Sequence, residues 1–192
     1  MPTVLECPPE PLRVVVSPDG MVDTAAPTLV RRISELEGLY EDGQAWTQLV
    51  AAGDPVVYTV QSSPVPEVEH ELPLSTTTIL PGTCAGEFFM TKGHQHVNPE
   101  GEIYLGLSGV GGLLLFDGGT SRWIDMAPGV IGYIPPVWAH RSVNVGTEPY
   151  RFLAVYPGRA GHDYQWVLGN GLGLRAFGAR SGFELRPQRA LR

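Results

Sequence analysis

The sequence predicts an all-β domain, on three observations. Its 192 residues include 24 glycines and 18 prolines, a composition that favours short strands broken by turns over long helices. Short apolar runs recur between Val56 and Tyr156, separated by the turn signals Pro81-Gly82, Asp117-Gly118-Gly119, Pro128-Gly129 and Gly146 to Pro149. No internal repeat and no low-complexity linker divides these runs, so they read together as one sandwich or barrel. With 43% hydrophobic and 17% charged residues, a chain of this length can bury a core as one domain with decorations.

Residues 1–53 read as an N-terminal extension. It opens with the apolar run Leu12 to Val16 and continues through Leu29 to Tyr40. Ala45, Trp46, Leu49 and Val50 then recur at helical spacing, which predicts a short helix that Asp42 is placed to cap. Residues 54–165 read as the β domain, with strands over Val56–Gln61, Ser75–Leu80, Glu87–Met90, Glu102–Leu107, Gly112–Phe116, Arg122–Met126, Val130–Ile134, Arg141–Val145 and Tyr150–Tyr156. Residues 166–192 carry little pattern and read as a tail over the surface. Five of the twelve arginines lie in it or at its start, at Arg175, Arg180, Arg186, Arg189 and Arg192, and are expected to be solvated.

Charge and cysteine usage exclude several classes of function. The formal charge of −7, with Lys92 the only lysine, argues against a reader of nucleic-acid backbones, which needs clustered cations. Cys7 and Cys84 show no CxxC spacing and give no disulfide framework, which suits a reducing compartment. No charged run with an apolar stretch behind it opens the chain, and no window approaches eighteen apolar residues, so neither a leader nor a membrane span is expected. These features predict a cytoplasmic protein with no membrane partner.

The informative motif is Thr91-Lys92-Gly93-His94-Gln95-His96, followed by Glu102 and, after a second Gly/Pro-rich block, by His140 and Asn144. In an extended chain His94 and His96 project to one face and Gln95 to the other, so both imidazoles can bind one ion. An antiparallel return past Val97 to Gly101 brings the Glu102 carboxylate beside them, and His140 arrives from a later strand. Three imidazoles and one carboxylate suit Fe, Mn, Co, Ni or Zn better than Mg or Ca.

Both blocks resemble the two motifs of the cupin superfamily, small double-stranded β-helix barrels with a His/His/Glu/His metal site. The spacing from the His pair would suit Glu100 better, but the six residues expected between the acid and a glycine are given by Glu102 and Gly109, so Glu102 is taken with Glu100 as reserve. Where the superfamily has Pro-x-Gly before the final histidine, this chain has Pro135-Pro136-Val137. The string is more closely similar to the cupin-type phosphoglucose isomerases: Thr91 to His96, Glu102-Ile-Tyr104 to Leu115, Tyr133 to Asn144, and Ala160-Gly-His162-Asp-Tyr164.

That resemblance implies a jelly-roll barrel that interconverts glucose 6-phosphate and fructose 6-phosphate. It implies one divalent transition metal per subunit, held by His94, His96, Glu102 and His140, with iron the first choice and Mn, Ni, Co or Zn as alternatives. Such an ion polarises the sugar carbonyl as a Lewis acid. Glu102 would move a proton between C1 and C2 through a cis-enediol, or a hydride shift would need no base. Tyr104 would orient the carboxylate or a sugar hydroxyl, Trp138 would pack the barrel, and His162 with Tyr164 would sit at the substrate, where either can assist ring opening by moving a proton at the ring oxygen. Tyr58, Thr77, Thr91, Lys92 and the Gly93 N–H would hold the phosphate. A homodimer is implied, with Leu12 to Val16 as a strand to exchange. The alternatives are an Fe(II)-dependent cupin oxygenase on the same ligands and a non-catalytic sugar-binding cupin.

Overall fold

The structure, a computed structural model, describes residues 11–17, 21–23 and 28–188. Cys7, Arg189 and Arg192 lie outside them. Thirteen strands, two α-helices and a 3-10 turn are present among the described residues, so the domain is all-β. β1 (Leu29–Arg32) leads through a 3-10 turn, Ile33–Leu36, into α1 (Gly43–Ala51). Asp42 caps α1, its Oδ1 accepting the Ala45 N–H at 2.9 Å. Trp46 then donates from Nε1 to the Ile33 carbonyl at 2.8 Å, which ties the helix to the turn. Leu12 to Val16, expected as a strand, makes one antiparallel bridge, between Val16 and Val22 of the same chain.

Two antiparallel sheets form the jelly roll. The strands of the larger are β2 (Val56–Ser62), β3 (Leu74–Ile79), β6 (Glu102–Ser108), β9 (Ile131–Ile134) and β11 (Tyr150–Val155), arranged with β1 in the order β1-β2-β3-β11-β6-β9. The smaller has the order β10-β7-β8, from β7 (Gly111–Phe116), β8 (Ser121–Met126) and β10 (Ala139–Asn144). Alternation drives the packing: Tyr58, Ile79, Phe152 and Tyr104 from the large sheet share one core cluster with Leu113, Leu115, Met126 and Val143 from the small one. Gly109, at φ 71, makes the β6–β7 turn, where a Cβ would lie 2.4 Å from the Pro149 carbonyl oxygen. Asn144, wholly buried, organises the β10–β11 turn by donating to the Ile79 and Glu148 carbonyls, both at 2.9 Å, and accepting the Gly146 N–H at 2.9 Å.

The predicted strand Glu87–Met90 is shorter in the structure. It divides into β5 (Glu87–Phe88), paired with β4 (Thr83–Cys84), and a bridge from Met90 to Val143. A larger departure concerns the segment after Tyr164. Instead of lying over the surface it forms α2 (Tyr164–Asn170), capped by Asp163 Oδ1, and a hairpin of β12 (Leu174–Gly178) and β13 (Phe183–Pro187) that joins β5. The reason is burial: Leu172, Ala176 and Phe177 pack into the interior.

Arg175 is the other correction, since it is buried where solvation was expected. Its Nη1 donates at 2.7 Å both to Glu87 Oε1 and to the Leu39 carbonyl, and Glu87 Oε2 accepts the Glu41 N–H at 2.8 Å. A buried carboxylate stripped of its cation is expensive. Arg175→Ala should therefore lower the unfolding free energy by about 3–5 kcal/mol in a denaturant titration, and Arg175→Ala with Glu87→Gln should recover part of that loss.

Candidate metal centre and cavity

His94 and His96 stand on an extended segment that runs beside β10 without joining a full ladder. His94 and His140 exchange backbone hydrogen bonds at 3.1 and 2.9 Å, and Gln95 and Asp163 do so at 3.2 and 2.8 Å. Alternation then sends both imidazoles inward, while Gln95 turns away and donates from Nε2 to the Val137 carbonyl at 2.6 Å. Gly93 sets the entry to this segment at φ 74. A Cβ there would lie 2.8 Å from the His140 carbonyl oxygen and 3.1 Å from Arg141 Cβ.

Glu102 opens β6 and His140 lies on β10, so the two sheets deliver the remaining donors across the barrel. Donor atoms of His94, His96, Glu102 and His140 lie within 4.8 Å of one another. Glu102 Oε2 is 3.0 Å from His140 Nε2 and 3.2 Å from His96 Nε2. Yet the Nε2 atoms of the three histidines and Glu102 Oε2 are all buried without a hydrogen-bond partner. Four orphaned polar atoms facing one point fit a shared cation, because desolvated groups otherwise carry a penalty.

The surroundings prepare these atoms as ligands. His96 Nδ1 lies 2.8 Å from the Glu100 carbonyl and His140 Nδ1 lies 3.2 Å from the Trp138 carbonyl, contacts that place the proton on Nδ1 and leave Nε2 as the donor atom. Burial, followed by the neighbouring imidazoles, holds His94 well below the usual histidine range, which keeps it neutral. Burial opposes ionisation of Glu102, but the close approach of the His140 and His96 rings outweighs it and keeps the carboxyl below its ordinary range. Glu100, the reserve ligand, is otherwise engaged: its carboxylate takes Arg159 Nε at 2.5 Å.

His94 and Glu102 of the cluster line a cavity, and every residue singled out for substrate from the sequence also lines it: Tyr58, Thr77, Thr91, Lys92, Gly93, Tyr104, His162 and Tyr164. Burial pushes the Tyr58 hydroxyl up to about 12. Tyr104 stacks on Phe152, ring centroids 4.6 Å apart, and meets the His140 ring edge-on at 5.8 Å. His162 lies edge-on to His94 at 4.4 Å and parallel to Tyr164 at 6.1 Å. Burial, first, lowers the His162 pKa, with nearby Glu67 opposing. Thr91 Oγ1 accepts the Ser142 N–H at 3.1 Å, and Trp138 packs against the core.

Sequence reasoning missed three cavity residues and one support behind them. Arg31 reaches the cavity from β1, Glu67 from the β2–β3 loop, and Tyr156 from the end of β11. All three sit outside any metal-motif block, although period-two alternation does put Leu29 and Arg31 on one face. The fourth is Arg141, buried beside His140. Its Nε and Nη2 donate to the Lys92 carbonyl at 3.2 and 2.7 Å, which anchors the Thr91–Gly93 segment, and burial lowers its pKa to about 10.

The glucose-6-phosphate isomerase (GPI) family matches residues 30–189. The chain belongs to this family. Curated relatives include the glucose-6-phosphate isomerases of Pyrococcus horikoshii, 46% identical over 84% of this chain and 87% of theirs, and of Pyrococcus furiosus, 45% identical over the same shares. That of Thermococcus litoralis is 46% identical over 79% of this chain and 80% of its own. Among solved structures, a cupin 2 conserved barrel domain protein from Salinispora arenicola aligns with 52% of this chain and 74% of its own, at 25% identity and a TM-score of 0.38.

One local departure from the cupin pattern has a measurable cost. Val137 takes the place of the expected glycine and adopts φ 65, with its side chain 58% exposed. A left-handed conformation costs an L-residue about 1–2 kcal/mol, against the smaller entropic cost of glycine. Val137→Gly should therefore raise the unfolding free energy by about 1 kcal/mol, read as a higher thermal midpoint.

Proposed function

We propose that the protein is a metal-dependent aldose–ketose isomerase that interconverts glucose 6-phosphate and fructose 6-phosphate. Membership of the glucose-6-phosphate isomerase family supports the reaction. The observation that carries the metal dependence is the convergence of four buried, unpartnered donor atoms, two of whose residues, His94 and Glu102, line a cavity.

His94, His96, Glu102 and His140 would hold the ion. A divalent transition metal bound there supplies Lewis acidity toward the sugar's carbonyl oxygen. We assign iron to it, on a donor set of three nitrogens and one oxygen that Mn, Ni, Co and Zn also suit. Glu102 is the carboxylate within reach of the C1–C2 end and would carry a proton between those carbons. Tyr104, on the same face of β6, would donate to a sugar hydroxyl. Its hydroxyl stays protonated because burial lifts its pKa well above the ordinary phenol range. His162, held toward its neutral form by burial, would take the proton of the C1 hydroxyl and deliver it to the ring oxygen as the bond between C1 and that oxygen breaks.

Tyr58, Thr77, Thr91, Lys92 and the Gly93 N–H would hold the phosphate, with Tyr164 at the cavity mouth. Two further parts of the reading concern the assembly. We place the protein in the cytoplasm, where charged sugar phosphates are retained; no helix among the described residues is long and apolar enough to cross a membrane. We also expect a homodimer, supported by the exposed Leu29 and Val30 on the edge strand β1 and by the exposed Leu12 and Val15 of the N-terminal segment.

Purified protein given fructose 6-phosphate should produce glucose 6-phosphate, read by a coupled dehydrogenase. Stripping the metal with a chelator should cut the rate roughly thousandfold, the equivalent of several kcal/mol of transition-state stabilisation, and Fe(II) or Mn(II) should restore it. Full activity after rigorous metal removal would refute the metal dependence. Oxygen consumption without isomerisation would instead favour the oxygenase reading.

A further inference from the structure

Charge is sorted along the cavity. Among its described lining residues the carboxylates are Glu102 and Glu67, and the two formal cations are Arg31 and Lys92. Glu102 belongs to the histidine cluster. Glu67 Oε1 accepts the Tyr156 hydroxyl at 2.7 Å, and the Tyr156 ring lies edge-on to His162 at 5.3 Å. Both acids therefore stand with the histidines, which leaves the cations to define the other pole.

Arg31 is built into that pole. It sits on β1 directly opposite Tyr58 on β2, and the Tyr58 hydroxyl is within its hydrogen-bonding reach. Its Nη1 donates to Glu35 Oε1 at 2.5 Å, while Glu35 Oε2 accepts the Arg32 N–H at 2.9 Å, so the acid is itself fixed and holds one corner of the guanidinium. A guanidinium carries five donors in a planar fork, and this contact occupies one corner of it. Lys92 is close enough to lower the Glu35 pKa as well, as the last of several contributions.

A sugar phosphate carries close to two negative charges at neutral pH, more than one lysine offsets. The flat fork of arginine matches phosphate oxygens two at a time, which lysine does not. Thr77 on β3 faces Phe152 of β11, which faces Gly106 of β6, so Thr77 stands two strands across from Glu102, about 10 Å, and four residues along, about 13 Å. Glu102, Thr77, Thr91 and Arg31 nevertheless line one cavity, and Arg31, opposite Tyr58 and hence in the row of Ile79, lies farther from Glu102 than Thr77 does.

We infer that Arg31, oriented by Glu35, binds the substrate's phosphate together with Lys92 and so fixes which end of the sugar meets the histidine cluster. The inference rests on the isomerase reading. It deepens that reading by adding a specificity residue from the N-terminal strand, outside both metal motifs.

The test compares wild type, Arg31→Met and Arg31→Lys by KM and kcat for fructose 6-phosphate, by the competitive Ki of inorganic phosphate, and by calorimetry of inorganic phosphate on each protein. Loss of a charged hydrogen-bonding group should raise KM and Ki together by about ten- to hundredfold in Arg31→Met. The kcat should stay within about threefold, because the contact serves ground and transition states alike. Arg31→Lys keeps a charge without the fork, so its rise should be smaller, and it carries the test should the methionine variant not fold. KM and Ki of both folded variants within twofold of wild type would overturn the inference. If wild type fails to isomerise while Arg31→Met still weakens phosphate binding in the calorimeter, the isomerase reading falls and the anion site stands.

Discussion

The constraint on which this structure depends is the burial of three imidazoles and one carboxylate around a common point. Each of the four donor atoms is removed from water and none has a hydrogen-bond partner. An isolated group in that position would be costly, and four together are tolerable only where one centre serves them all. The barrel supplies the means. Two sheets face each other, and each contributes to the cluster: β6 brings Glu102 and β10 brings His140, with the His94–His96 segment bridged to β10. Backbone carbonyls of Glu100 and Trp138 then orient two of the rings from behind.

The rest of the site follows from polarity along the cavity. Glu102, Glu67, His94 and His162 line it together with the hydroxyls of Thr77 and Thr91 and with Lys92 and Arg31, the two cations that share Glu35 as a neighbour. A ligand with an anionic end and a carbonyl end is matched in one orientation only. Arg141 links the two ends mechanically. It follows His140 in sequence, and its side chain holds the Lys92 carbonyl, so the segment carrying Lys92 and Gly93 is registered against the histidine cluster. Its burial lowers its pKa only to about 10, so it remains a cation at neutral pH and adds to the positive potential near that segment.

Much of this was legible in the sequence because it rests on local rules. Alternation placed His94 and His96 together with Gln95 away, the helical spacing of Ala45 to Val50 with Asp42 before it gave α1 and its cap, and the turn signals bounded most strands. What failed to show depends on contacts distant in sequence. The hairpin of β12 and β13 is held by pairing with β5 and by Arg175 on Glu87, partners 88 positions apart. Nothing near Arg175 signals that it is buried. Arg31 and Glu67 reach the cavity only because β1 joins the edge of the large sheet and the β2–β3 loop approaches Tyr156. Val137 is the converse case: a missing glycine was visible in the sequence, and the backbone keeps the left-handed turn regardless, a strain absorbed where Gln95 braces the Val137 carbonyl.

X-ray absorption of the metal-loaded protein at the edge of its bound ion tests the central claim most directly. The expected spectrum shows a first shell of nitrogen and oxygen atoms at about 2.0–2.2 Å, with outer-shell scattering that requires three imidazoles. A shell containing sulfur, or one fitted with fewer than two imidazoles, would contradict it.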